Sequence, residues 1–244
     1  MTKKYRTPPI IEAVCEFRFP PTVPWDLTIH GLMFAKIQNE FPNKAQHLVQ
    51  NIEFAQTHEG LRQQVATSQQ SVFSTDDKRT LIQLGSHILA VNSLAPYQTW
   101  EKFKPHIHKA FMTLTSIVEV KELESISYRT LNRIVIPQSP VNLSDYFEFR
   151  PFLGVQLPHQ PMNFVLACSF EFYDGRDICQ MQLTNSVPNV TSSVAFILDF
   201  NYFLAKPRAI SALEALEWVD TAHLKLNEIF EGCITDQLRA VFNE

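Results

Sequence analysis

The first regular pattern in the chain is the sequence IIEAVCEFRF at residues 10–19. Apolar side chains at Ala13, Cys15 and Phe17 fall on one side of a two-residue period, and the charged Glu12, Glu16 and Arg18 fall on the other. A period of two residues is that of a β-strand with one buried face and one exposed face. The stretch therefore predicts a half-buried strand, in an antiparallel sheet whose second face is open.

The rest of the first half predicts helices and short strands. Apolar spacing predicts a helix over residues 26–40, ended by Pro42, and a second helix over residues 99–117. Pro105 should kink the second helix or mark its first turn. Between the helices lie four predicted strands, joined by short polar connections typical of antiparallel neighbours: residues 47–56, 61–75, 80–84 and 88–93.

The second half follows the same order. An alternating strand at residues 125–136 precedes a short helix at 143–147. Asp174-Gly175 predicts a hairpin turn, and Ser211 with Glu214 forms a capping box that predicts the start of a long helix with Leu213 in its core stripe. Four strands are predicted between the two helices: residues 152–157, 162–173, 178–184 and 193–203.

Both halves thus contain a strand, a helix, four strands and a helix. The sequence predicts an α+β fold built from duplicated β-α-β4-α units, at residues 1–120 and 121–244, that form a large antiparallel sheet with helices on one face. The two units are expected to form one continuous domain. The strand positions of Cys15 and Cys168 predict buried thiols on the helix-covered face.

Composition limits the classes of partner. The 244 residues carry a net charge of -4, which argues against duplex DNA because DNA binding requires a basic surface. Four widely spaced cysteines form no C-x-x-C motif, and this favours reduced, structural thiols. The sequence shows neither a secretory signal nor an apolar run long enough to span a bilayer, so we expect a cytoplasmic protein without membrane association.

Motifs for metal and nucleotide chemistry are missing from the sequence. The six glycines form no phosphate-binding loop, and we expect no cofactor. His106 and His108 would project about 200° apart on a helix, so we expect no metal site there. Asp145, Asp199 and His223 are the residues that acid–base chemistry could use, but positions on the open sheet face or in a packed helix explain Asp199 and His223 better.

One charged cluster is expected on the open sheet face. It comprises Glu12, Glu16, Arg18, Arg129 and Arg133, with Asp199 nearby. If the first strands of the two units are neighbours, the glutamates face Arg129 and Arg133 as a cross-strand charge ladder. The alternative is that the arginines are open and anchor an anionic ligand.

The chain bears two resemblances to known proteins. The predicted architecture resembles the saddle of the TATA-binding protein, although residues 57–60 and 158–161 offer no Phe wedge for kinking DNA. The chain also resembles a sporadically distributed, functionally uncharacterised prokaryotic family of about this length. That resemblance implies a mobile or defence-related locus. It rests on these motifs: the block at residues 8–19, Tyr97, Trp100-Glu101, Phe103, Asn132-Arg133-Ile134, His223, Phe230 and residues 234–239.

Three functions are compatible with the sequence. The leading hypothesis is a non-enzymatic binding or regulatory protein that engages a protein or a small anionic ligand, or a second copy of itself, through the open sheet face. An enzyme acting on a nucleotide or nucleic acid, using Asp199 and the arginines, is the second. Single-stranded nucleic-acid binding is the third, with Tyr173 and Phe203 as the only candidates for base stacking.

Overall fold

The computed structural model describes residues 4–57, 60–154, 156–158, 163–188, 190 and 192–243, with side chains described outside 48–57 and 60–69. Nine strands lie within these residues: β1 (Ile10–Arg18), β2 (Asn43–Thr57), β3 (Gly60–Ser74), β4 (Thr80–Gly85), β5 (Ile88–Leu94), β6 (Ser125–Ile136), β7 (Val165–Phe172), β8 (Asp177–Ser186) and β9 (Val194–Leu204). The helices are α1 (Thr28–Ile37), α2 (Trp100–Thr115), α3 (Ala215–Cys233) and α4 (Asp236–Val241), with a 3-10 turn at Leu143–Asp145.

All nine strands form one antiparallel sheet in the order β2-β3-β4-β5-β1-β6-β9-β8-β7. The predicted α+β class, with helices packed on a large antiparallel sheet, is confirmed. None of the helices in the described ranges is long and apolar enough to cross a membrane.

The centre of the sheet is the pair formed by β1 and β6. Cys15 lies opposite Tyr128, and Val14 lies opposite Arg129. On the covered face both strands present fully buried apolar side chains, including Phe17 and Ile134. The alternation that predicted β1 therefore also determines which face of the central pair the helices cover.

Helices α2 and α3 cover different parts of this face. Helix α2 packs over β4 and β5, and α3 packs over β6 and β9. The Phe111 ring of α2 stacks on Phe17 of β1, with centroids 4.6 Å apart. A buried aromatic pair of this kind adds about 0.5–1.5 kcal/mol beyond its buried area.

The strand order is mirrored about the central pair, with one difference. On one side β1 is followed by β5, β4, β3 and β2, whereas on the other side β6 is followed by β9, β8 and β7. The strand predicted over residues 152–157 was wrong: 152–154 and 156–157 are not in a strand, and Phe152 is 95% exposed. Prolines at 151 and 158 flank this segment, and proline cannot donate to a strand ladder. Superposition of the two halves stays a prediction.

Other local predictions need correction. Leu213 was predicted to be in the core but is 95% exposed, because α3 begins at Ala215, after the capping box. The predicted Asp174-Gly175 turn is present within a longer connection, where Tyr173, Asp174 and Gly175 all have positive φ. Helix α2 begins at Trp100, with Pro105 inside it.

The thiol predictions are confirmed for Cys15, which is fully buried, and only in part for Cys168, which is half-buried on β7. Burial raises the pKa of the Cys15 thiol well above its usual value. The two connections considered for a Phe wedge include His58, Glu59 and residues 159–161, which lie outside the described residues.

A buried carboxylate fastens the second half of the sheet to α3. Asp177 is fully buried. It accepts hydrogen bonds from Trp218 Nε1 at 3.1 Å, from the Tyr202 hydroxyl at 3.1 Å and from Arg176 at 2.7 and 3.1 Å. Because both oxygens are satisfied and the charge is paired, burial of this group is tolerated.

We predict that Asp177→Asn destabilises the protein by roughly 3 kcal/mol or more, since the change removes the charge partner of a buried network and misplaces donors. Equilibrium urea unfolding measures this loss. Asp174→Asn, in the exposed turn three residues earlier, is the matched control and should unfold like the wild type. Equal unfolding midpoints for the two variants would contradict the assignment.

Candidate functional site

A cavity of about 230 Å³ lies between α2 and α3, on the helix-covered face of the sheet. Strand β6 forms its floor, α2 and α3 form two walls, and the segment before β1 forms a third. The lining is mostly apolar and aromatic, with a few polar groups: Lys4, Tyr5, Pro8, Pro9, Ile10, Tyr97, Thr99, Trp100, Glu101, Tyr128, Thr130, Asn132, His223, Leu226, Asn227, Phe230 and Glu231.

The floor follows from the two-residue period of β6. Tyr128, Thr130 and Asn132 are buried and project from the same side of the strand. Asn132 donates Nδ2 to the carbonyl oxygen of Leu198 on β9 at 3.0 Å, which holds the amide in place. The floor thus combines an aromatic ring with two small polar side chains in a fixed orientation.

His223 of α3 stacks on Trp100 of α2, where the two helix walls of the cavity meet. Their rings are parallel within 7°, with centroids 3.9 Å apart. Asn227, one turn further along α3, places its Nδ2 2.9 Å from His223 Nε2. Burial lowers the pKa of His223 to about 4, although the charges of Asp220 and Glu101 oppose the shift. The imidazole is therefore neutral at neutral pH.

Two tyrosines add hydroxyl groups to the cavity. Burial raises the pKa of Tyr97 to about 12, and that of the fully buried Tyr128 is raised well above its usual value. Each of these two tyrosines contributes to the pKa shift of the other. The Tyr97 hydroxyl nevertheless has no described residue at hydrogen-bonding geometry. A buried hydroxyl without a partner is costly, so a ligand that accepts its proton would stabilise this wall.

The third wall is residues 4–9, which we call the strap. The Tyr5 hydroxyl donates to Glu231 of α3 at 2.5 Å, and Thr7 N donates to the Phe242 carbonyl at 2.8 Å. Arg239 holds the same glutamate through its Nε, at 2.8 Å. The strap is thus bound to the C-terminal helices, although it precedes β1 in the chain.

Charges at the rim of the cavity are paired. Lys4 lies 3.3 Å from Glu101, and Glu231 is neutralised by Arg239. The other lining residues are uncharged, given the neutral His223. The cavity therefore presents no excess of either charge to a ligand.

The predicted charge cluster lies on the opposite face of the sheet. Arg129 makes a bidentate pair with Asp199 of β9, at 2.6 and 2.9 Å. Arg18 pairs with Glu16 on its own strand at 2.7 Å.

Two further members of the cluster have polar partners. Glu12 accepts from Asn92 of β5 at 2.7 Å, and Arg133 donates to the Val187 carbonyl at 3.0 Å. These hydrogen bonds differ from the predicted pairing of glutamates on β1 with arginines on β6, although the charge of Glu12 lies close enough to Arg129 to help raise its pKa. Asp199, which accepts both hydrogen bonds from Arg129, belongs to this ladder.

The residues considered for metal binding and for base stacking do not line the cavity. The described residues contain no group of three or more His, Cys, Asp or Glu side chains that could hold a metal ion. The Tyr173 ring, a candidate for base stacking, has the Arg176 guanidinium 4.7 Å from its centroid. Phe203 is half-buried.

The sequence motifs themselves converge on the cavity. Nine of the residues that carried the family resemblance line it, although they are separated by up to 222 positions along the chain: Pro8, Pro9, Ile10, Tyr97, Trp100, Glu101, Asn132, His223 and Phe230. Sequence reasoning placed binding on the open face and missed this cavity. The signal that could have found it was the polar and aromatic character of these scattered blocks.

No protein-family model matches the chain, and no curated protein matches its sequence. The function must therefore be inferred from the site itself.

The ion pair of Arg129 and Asp199 generates one prediction. Both side chains are partly exposed, so a double-mutant cycle with Arg129→Gln and Asp199→Asn should give a coupling of about 1 kcal/mol or less that decreases with salt. Thermal melting measures it, and Arg18→Gln is the control on the same face. A phosphate-dependent rise in melting temperature, present in the wild type and lost in Arg129→Gln, would contradict a purely structural ladder.

His223 generates another prediction. Its pKa is lower in the folded state than the ordinary value of about 6.5, so the unfolded state binds the proton first. The stabilising effect of the neutral ring is complete above pH 6.5 and is lost as the pH falls towards 4, by roughly 3 kcal/mol in total.

An NMR titration checks this directly. The His223 ring resonance, assigned by its loss in His223→Phe, should shift with a midpoint near pH 4. In the same variant, which keeps the stack on Trp100, stability should depend less on pH between 6.5 and 4. A midpoint near 6.5 would show that the ring is solvated.

Proposed function

We propose that the protein is a non-enzymatic binding or regulatory protein that binds a small, neutral, planar ligand in the cavity between α2 and α3. The observation that carries the proposal is a largely apolar cavity lined by aromatic rings from four separate parts of the chain, with a few fixed polar groups among them. Ligand sites in proteins have this composition.

Size limits the ligand. Sites for drug-sized molecules are about 300–1,000 Å³, and this cavity measures about 230 Å³. A ligand of about one or two rings suits this space. A polymer would have to remain outside.

Charge limits the ligand further. A charged molecule would lose its hydration on entry and would meet no unpaired opposite charge at the rim. A neutral ring keeps the benefit of apolar burial and of contacts with Trp100, Tyr128 and Phe230. This favours a neutral heteroaromatic compound, such as a free nucleobase or an indole, over a phosphorylated one.

Polar groups would orient such a ligand. The Tyr97 hydroxyl, which lacks a partner among the described residues, can donate to a ring nitrogen or carbonyl oxygen. The Oδ1 of Asn132 can accept from a ring N–H, because its Nδ2 is held by Leu198. A ligand with a donor and an acceptor on one edge fits these positions.

Binding is favoured over catalysis by the state of His223, the imidazole that lines the cavity. A general base acts best when its pKa is near the working pH, whereas the pKa of His223 is about 4. Its ring is also occupied by Trp100 on one face and by Asn227 at a nitrogen. These contacts indicate that His223 packs in the wall of the cavity and does not act as a base.

We also propose that the protein acts in the cytoplasm. All four cysteines are free thiols. Disulfides form and persist in oxidising compartments, whereas the reducing cytoplasm keeps thiols free.

Two neighbouring residues on β6 test the location of the site. Thr130→Met fills the cavity from its floor, while Leu131→Met changes the open face one residue further on. Nucleobases, nucleosides, indoles and their phosphorylated forms are screened by ligand-observed NMR and by thermal shift. We expect neutral planar compounds to bind the wild type and Leu131→Met, and to lose binding to Thr130→Met.

The melting temperature of each variant without ligand controls for overpacking of the core. Binding that persists in Thr130→Met and disappears in Leu131→Met would overturn the cavity and favour the open face. Preference for the phosphorylated compounds would overturn the neutral class of ligand.

A further inference from the structure

Strand β7 is one edge of the sheet. Within the described residues it pairs with β8 only, whereas its counterpart in the mirrored order, β3, pairs with strands on both sides. No described strand therefore pairs with the outward-facing backbone N–H and C=O groups of β7, which could receive another strand. This edge is unrelated to the cavity, so the inference does not depend on the proposed function.

The side chains of β7 do not protect its edge. The strand has the sequence VLACSFEF, without lysine, arginine or proline, and Glu171 is its one charged residue. Val165 is 68% exposed and Phe170 is 46% exposed. Edge strands of monomeric proteins usually carry charges, prolines or bulges that prevent pairing. An unprotected apolar edge is typical of a strand that pairs with a partner.

We propose that a second copy of this chain pairs its β7 with β7 of the first, antiparallel about a twofold axis, so that the two sheets become one. An antiparallel pair of identical strands is self-complementary, as an interface with twofold symmetry requires. Opposite residues must lie on the same face, so the axis passes through a residue position rather than between two. Cys168 and Ser169, in the middle of the strand, are the two candidates.

The register centred on Cys168 is favoured. It places Leu166 opposite Phe170 of the second copy, and so covers the exposed ring with an apolar side chain. It also separates the two Glu171 carboxylates by about 20 Å along the strands, compared with about 13 Å in the register centred on Ser169. The larger separation reduces repulsion between like charges.

The dimer should be weak and depend on concentration. Stable interfaces bury about 1,200–2,000 Å² in total, and a single pair of eight-residue strands contributes less than that range. Sedimentation velocity over a series of concentrations should therefore show a reversible equilibrium between monomer and dimer.

Phe170→Lys tests the interface, because it places a charge on the edge in the manner of protected strands. We expect the dimer dissociation constant to rise roughly tenfold or more. Met112→Lys is the matched control: Met112 on α2 is 58% exposed, and its substitution should leave the dimer unchanged. Val165→Lys, on the other face of β7, is a second variant in case Phe170→Lys fails to fold, and circular dichroism monitors folding of each.

Oxidation tests the register. Opposite residues of antiparallel strands have Cα atoms about 4.5–5.5 Å apart, which is within the range of a disulfide. With copper–phenanthroline and oxygen as oxidant, two Cys168 thiols lose two protons and two electrons and form one S–S bond. A covalent dimer should appear on a non-reducing gel and be absent for Cys168→Ser, since the other three thiols are buried.

Several results would overturn the proposal. The proposal is wrong if the protein stays monomeric at every concentration. It is also wrong if the dimer of Phe170→Lys is as stable as that of the wild type. A dimer that fails to crosslink through Cys168 overturns the register. A monomer whose β7 amides are all protected from hydrogen exchange shows that the edge is covered from within the chain instead.

Discussion

The antiparallel pairing of β1 with β6 is the interaction on which the rest of the structure depends. It joins the first and last halves of the sheet, and it brings Cys15 against Tyr128 beneath the helices. Each strand alternates strictly, so one side of the pair belongs to the core and the cavity floor, and the other carries the charged ladder. A slip of one residue would exchange these two surfaces.

The cavity is a consequence of how the helices divide the covered face. Helix α2 packs over strands of the first half and α3 over strands of the second. The stack of Trp100 on His223 and the ion pair of Lys104 with Asp220 join the two helices. The space beside this stack is closed by the strap, which Tyr5 fastens to Glu231. Elements that are far apart in the chain are therefore needed to form this one site.

The two bidentate arginine–aspartate pairs of the second half differ in how deeply they are buried. Arg129 and Asp199 lie on the open face, where water and salt weaken their attraction. Asp177 is wholly buried, and its pair with Arg176 is supplemented by donors from Tyr202 and Trp218. In a region of low dielectric constant, each of these contacts matters more and the loss of one is more damaging. Similar residue pairs therefore contribute differently to the stability of the fold.

The sequence by itself determined the sheet, its open face and most strand positions, because alternation is a local property and the burial of β1 and β6 follows from it. It also indicated that Glu12, Arg129 and Asp199 share one face. Only the tertiary structure decided that Arg129 pairs with Asp199 and that Tyr97, Asn132 and His223 meet around a cavity. It also showed that the described residues between 152 and 157 do not form a strand. The physical reason is that these contacts join residues far apart in the chain, and their geometry depends on how α2, α3 and the strap pack together.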